Sequence, residues 1–99
     1  MPHTLLIYEL AEDYVERRPA FRDEHLAYAW AAADAGTLIL AGPVGDPPES
    51  ALLIFSDSQA AEDFAGGDPY VREGLIVSWR TAPWITVVGK DAATPVRPG

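Results

Sequence analysis

The chain has 99 residues, 48% of them apolar, enough for one domain with a modest core and too few for two. Its formal net charge is −8, and its six Arg and single Lys form no stripe, which argues against nucleic acid and anionic membrane surfaces as partners. Without cysteine there is no disulfide framework, thiol nucleophile or thiolate metal site, and without asparagine no N-glycosylation site.

The opening MPHTLLIYEL lacks the basic start and sustained apolar run of a signal peptide. No apolar stretch approaches the ~20 residues of a membrane span. The expectation is a soluble cytoplasmic protein. The surplus of Ala, Arg, Asp, Glu and Pro over Lys and Asn suggests a GC-rich, bacterial genome.

Residues 3–10, HTLLIYEL, read as a strand, with Leu5 and Ile7 on one face and Leu6, Tyr8 and Leu10 on the other. A charged connection, AEDYVERR, leads to Pro19, which suits the first position of a helix because its missing N–H costs nothing there. That helix is expected to run to about Ala35. Leu26, Ala29, Trp30 and Ala33 recur at i, i+3, i+4, i+7 and form the expected core-facing stripe. Phe21, His25, Tyr28 and Ala32 lie on the adjacent stripe, which sets His25 at the border between core and cleft. Gly36 is a natural residue for the position just past the helix.

Residues 38–42, LILAG, form a second strand, and the Pro/Gly loop PVGDPPES joins it to a third, ALLIFS at 51–56. Ser56 and Gln59 have capping-box spacing, with Asp57 competing as the cap. A second helix covers about 57–65, ended by Gly66-Gly67. Asp68-Pro69-Tyr70 opens a short turn or helix that closes at Gly74. Residues 75–82, LIVSWRTA, make the fourth strand. Pro83 breaks or bends it, and 84–90 extend it or form a fifth. The domain is expected over residues 1–90, with 91–99 a loose tail.

The order β-α-β-β-α-β is the split βαβ pattern: an α+β, ferredoxin-like antiparallel sheet with both helices on one face. Two helices cover only that face, yet Leu5/Ile7, Leu52/Ile54 and Val77/Trp79 leave neither face polar. A one-sided antiparallel sheet alternates, and a monomer rarely exposes such a patch. The expectation is a homodimer packed sheet to sheet about a two-fold axis. The alternative is an over-apolar sheet covered by the tail.

Three stretches together resemble the YCII-related (YciI-like) family: His25-Leu26 in the first helix; Ala35-Gly36-Thr37-Leu38 running into Leu40-Ala41-Gly42-Pro43; and Phe64 followed by Asp68-Pro69-Tyr70. The resemblance spans about residues 3–90. It implies a dimeric α+β barrel, related in architecture to muconolactone isomerases and small cofactor-free monooxygenases, and a His–Asp active site matching His25 and Asp68. One branch that resembles it contains an enzyme that removes HCl from a chlorinated hydroquinone. Fold-level likeness does not fix a reaction.

His25 is the best chemical candidate, because imidazole takes and returns protons near neutrality. Near a helix start the dipole would favour its neutral form. The bland reading is a border histidine bonded to backbone. Asp68 would fix the tautomer and stabilise the imidazolium. Asp followed by Pro is also the mark of a helix N-cap, and one carboxylate can serve both roles.

The expected pocket lies between the first helix and the sheet, walled by Tyr8, Phe21, Tyr28 and Tyr70. Arg80 is a candidate for a substrate carboxylate, with an ion pair at an edge or dimer rim as its alternative. Arg17-Arg18 read as solvated and His3 as incidental. A metal is not expected, since His25 and Asp68 are two ligands where catalytic zinc needs three. No GxSxG, P-loop or GxGxxG is present, and no cofactor is expected.

The leading expectation is a cofactor-free enzyme in which His25 moves a proton on a small organic molecule, by isomerisation or elimination. A non-catalytic small-ligand-binding or accessory module is the alternative, and cofactor-free oxygenation a weaker third.

Overall fold

The computed structural model describes residues 2–99. Its elements are β1 (His3–Leu10), α1 (Tyr14–Asp34), β2 (Leu38–Val44), β3 (Ser50–Phe55), α2 (Ser58–Gly67), α3 (Pro69–Arg72) and β4 (Ile76–Trp84). The strands form one antiparallel sheet in the order β2-β3-β1-β4. This is the α+β, ferredoxin-like arrangement.

Register sorts the side chains into two faces. On the helix side, Ala41, Leu53, Leu6 and Thr81 form one row across the sheet, and Pro43, Ala51, Tyr8 and Trp79 another. Leu6, Tyr8, Leu53 and Phe55 are buried there against Ala61, Phe64 and Ala65 of α2. On the opposite side run the rows Leu40, Ile54, Leu5, Ala82 and Gly42, Leu52, Ile7, Arg80. This second face is as apolar as the strand pattern predicted.

The first helix begins five residues earlier than expected, at Tyr14. Pro19 lies inside it, where its ring and missing N–H bear on the Val15 carbonyl. Both residues are exposed, so water can serve that carbonyl. What holds the extra turn is Tyr14, buried and packed edge-on against Tyr70 at 5.8 Å.

The core-facing stripe is also rotated. Ala29 is buried as expected, but Leu26 is exposed and Trp30 is 64% exposed. Ala33 packs against the core as expected, and the rest of the inward side is Tyr14, Phe21, His25, Tyr28 and Ala32. The difference lies in hydrogen bonding: His25 finds Asp68 and Tyr28 finds the Phe64 carbonyl, and turning Leu26 or Trp30 inward would take both away.

Asp57 rather than Ser56 caps α2, accepting from Ala60 N–H at 2.8 Å. The helix does not stop before its glycines but runs through them, because α1 crosses there. A Cβ on Gly67 would sit 2.5 Å from the Tyr28 hydroxyl, which is held by its own bond to Phe64 O at 2.9 Å. Gly67→Ala is therefore expected to destabilise by about 1–2 kcal/mol, overpacking outweighing the helix-propensity gain. In a Tyr28→Phe background the same change should cost less or stabilise, as read by thermal melts. An equal loss in both backgrounds would show that the hydroxyl is not the obstacle.

Pro83 does not end β4, which runs through it to Trp84. A proline is tolerated because β4 is an edge strand, as is β2 with Pro43. Residues 85–90 form no further strand. Thr86 Oγ1 is 2.9 Å from His3 Nδ1, and Thr94 and Val96 hydrogen-bond back to Thr86 and Val87. No helix among the described residues is long and apolar enough to cross a membrane.

Candidate functional site

Asp68 is the joint between α2 and α3. Its backbone is extended (φ −67°, ψ 123°), closing one helix and opening the next. Pro69 stands at the first position of α3, so the Asp-Pro pair forms the cap that its sequence predicts. The carboxylate is fully buried and takes three partners. Oδ1 accepts from Tyr70 N–H at 3.0 Å and faces His25 Nδ1 at 2.7 Å; Oδ2 accepts from the Tyr8 hydroxyl at 2.7 Å. A buried charge needs this degree of satisfaction.

His25 reaches Asp68 from mid-helix, as the twelfth of the 21 residues of α1. The expected help from the helix dipole does not apply, since that effect fades within the first turn. The ring lies flat on Tyr70, centroids 3.8 Å apart and planes within 4°. Tyr70 is braced in turn by Tyr14. With two other donors already on the Asp68 side chain, the geometry suits Nδ1–H as the donor to it, an arrangement that in a neutral ring leaves Nε2 as the acceptor. The side chain is 17% exposed, so one edge of the ring meets solvent space.

That space is a hollow of about 200 Å³ between α1 and the sheet. Tyr8, Tyr14, Arg18, Arg22, His25 and Tyr70 line it, with the backbone turn of β2 at Ala41–Pro43 opposite. Of the residues expected at the site, His25, Asp68, Tyr8 and Tyr70 come together.

Three others do not. Phe21 lies outside the hollow, beneath the Arg17 guanidinium at 6.0 Å. Tyr28 lines a different depression, beside Ala60 and Phe64 on α2, because its hydroxyl is spent on the α1–α2 contact. Arg80 stands opposite Ile7 on the far face of the sheet; alternation along β4 sends it away from the helices.

Arg18, expected to be solvated, is instead half-buried on the wall of the hollow, and Tyr14 and Arg22, not singled out from the sequence, line it as well. Starting the helix at Pro19 left Tyr14 and Arg18 in a loop. Counting back from His25 by helical steps, to 22, 18 and 14, puts all four on one stripe.

The tyrosines feel the site's burial. Burial first, then the Asp68 charge, pushes the Tyr8 phenol far up from 10.0. Burial followed by Tyr14 raises Tyr70 from 10.0 to about 12, against an opposing pull from Arg22 and Arg18. The folded chain thus holds the Tyr70 proton more tightly than the unfolded chain. The stability this contributes is complete below pH 10.0 and is lost as pH rises from there to about 12. Denaturation midpoints measured across that window should fall more steeply for wild type than for Tyr70→Phe. Parallel curves would mean that Tyr70 does not titrate there.

Among the described residues no group of three or more His, Asp and Glu side chains is placed to hold a metal ion.

Sheet order, helix placement and this site define a ferredoxin-like α+β protein with an imidazole–carboxylate pair at a hollow between α1 and the sheet. The chain belongs to the YCII-related domain family, whose model matches residues 1–85. No curated protein matches it. Among solved structures it is similar to 5-chloro-2-hydroxyhydroquinone dehydrochlorinase from Burkholderia phenoliruptrix AC1100, in complex with 2,5-dihydroxybenzoquinone. The TM-score is 0.69 at 18% identity, covering 85% of this chain and 94% of that one. At this identity the likeness is one of fold.

Proposed function

We propose that the protein is a small-molecule enzyme in which His25 is the general base and Asp68 its orienting partner. The observation that carries this reading is the 2.7 Å bond from a fully buried Asp68 to His25 Nδ1 at the wall of a hollow. A binding module needs the hollow alone; capping α3 accounts for the bond to Tyr70 N–H but not for the one to His25.

In this reading Nε2 takes a proton from the bound molecule, a hydroxyl proton from the keto tautomer of a chlorinated hydroquinone or a carbon-bound proton beside a carbonyl, and the imidazolium is stabilised by Asp68. The electron pair left behind either expels a leaving group, chloride in a dehydrochlorination, or shifts so that His25 returns the proton elsewhere. The first is elimination and the second isomerisation. The similar dehydrochlorinase performs the first kind, which makes chlorinated hydroquinones a rational starting set.

The test is a panel of such compounds and of cyclic enones, incubated in D2O and followed by NMR for deuterium uptake at carbon and by chloride release. Turnover by wild type and its loss in His25→Gln support the reading. Binding without exchange or release across the panel makes the protein a binding module.

We also propose that a second copy covers the open face of the sheet. Leu5, Ile7, Leu52 and Ile54 line its centre, and Leu40 at its edge is 69% exposed although residues 88–92 border that end. An apolar face of this kind favours self-association. Light scattering should give a mass near twice 10.7 kDa for wild type and 10.7 kDa for Leu52→Asp. A monomeric wild type at micromolar concentration would exclude the pairing.

A further inference from the structure

We propose that Arg18 and Arg22 form a carboxylate grip at the mouth of the His25 hollow, so that the molecule acted on is a single-ring or similarly compact organic acid. This rests on the reading of the hollow as the reaction site and names the class of molecule that enters it.

The first observation is one of pairing. The chain carries 15 acidic residues against 7 basic ones, so an arginine has acids on every side to meet. Arg17 pairs with Asp13, and Arg72 with Glu24 and Glu73. Arg18 and Arg22, which line the hollow, have no acid within ion-pair distance among the described residues. Arg80, Lys90 and Arg97 also lack such a partner among the described residues; what sets Arg18 and Arg22 apart is that both stand on the wall of the catalytic candidate, where an incoming negative charge meets two cations with no competing acid.

The second is geometry. Arg18, Arg22 and His25 are at i, i+4 and i+7 on α1, one stripe of a continuous helix. Their Cα atoms are spaced about 6 Å and 4.5 Å apart along its axis, at 1.5 Å per residue. Arg18 is half-buried, its guanidinium 5.4 Å from the Tyr14 ring, which holds one of the two forks against an aromatic face. A group gripped between them lies on the same helical stripe as His25, within about one to two turns of it.

The third is size and donor type. A hollow of about 200 Å³ is slightly larger than the ~150 Å³ cavity that takes a benzene. Both cations are arginine, whose planar fork matches the two oxygens of a carboxylate better than the single oxygen of a phenolate. Tyr8, Tyr14 and Tyr70 line the same hollow and give it aromatic walls.

Sodium benzoate, benzamide and phenol are to be titrated into the full chain, following the His25 and Tyr70 ring signals by NMR. Benzoate should bind, with benzamide and phenol each weaker by about tenfold or more. Arg18→Gln and Arg22→Gln should each weaken benzoate by a similar factor, and added salt should do so for wild type. Arg72→Gln, an arginine outside the hollow, should leave it unchanged.

Three results would overturn the grip: benzamide binding as well as benzoate, an Arg18→Gln/Arg22→Gln double variant binding benzoate like wild type, or phenol at alkaline pH outcompeting it. So would no benzoate binding by a wild type whose Nδ1 proton signal shows the Asp68 bond intact. None of these touches the deuterium-exchange test of His25, so the grip and the base can fail separately.

Discussion

Asp68→Asn is expected to lower turnover by about 10²–10⁴-fold while leaving the protein folded. The amide keeps the shape of the carboxylate and can still accept from Tyr70 N–H, so the start of α3 survives. What disappears is the charge that stabilises the imidazolium; the amide oxygen that serves Tyr70 N–H still accepts from Nδ1, so the tautomer is kept. Asp68→Ala is a different experiment. It strands the Tyr8 hydroxyl, the Tyr70 N–H and the His25 ring together. At about 1–3 kcal/mol for an unsatisfied buried group, with part of the loss relieved by water, a cost of about 3–5 kcal/mol follows. For a domain of this size that lowers the melting temperature by roughly 15–30 °C. Thermal melts of the two variants beside the exchange assay separate the roles. An Asn variant with full activity would remove Asp68 from the chemistry and leave it a helix cap.

His25→Ala should abolish exchange to a similar extent, about 10²–10⁴-fold, and part of the activity should return on adding imidazole. The space vacated opens on the hollow, so a free imidazole can sit between Asp68 and the ligand. From sequence alone this variant is expected to melt like wild type. The structure changes that expectation. The ring covers Tyr70 at 3.8 Å and satisfies one lone pair of Asp68, and a loss of about 1–2 kcal/mol is expected with both gone. Folded protein, no activity and imidazole rescue together identify the base. Unfolding, or an inactive protein that imidazole does not restore, would make the histidine structural.

The same two residues illustrate what could be read in advance. Asp68-Pro69 announces a helix cap in any context, because the proline needs no donor and the carboxylate finds one two residues on. That part is local. The bond to His25 is not: the two residues are 43 positions apart, and only the crossing of α1 over the α2–α3 joint brings Nδ1 to 2.7 Å from the oxygen that also caps α3. The resemblance to a family supplied the pairing; the residues alone supplied two polar groups on suitable elements.

Element order, the two-faced apolar sheet and the cap at Asp68 were determined by the sequence, because each depends on spacing within a few residues. Where α1 begins and which stripe it turns inward depended on distant partners. Tyr14 against Tyr70 extended the helix past Pro19, and hydrogen bonds to Asp68 and the Phe64 carbonyl rotated Trp30 out to solvent. Those choices in turn set Tyr28 and Phe21 outside the hollow and brought Arg18 and Arg22 to its wall. Periodicity finds the stripes of a helix; packing and hydrogen-bond satisfaction across the fold select which one the core takes.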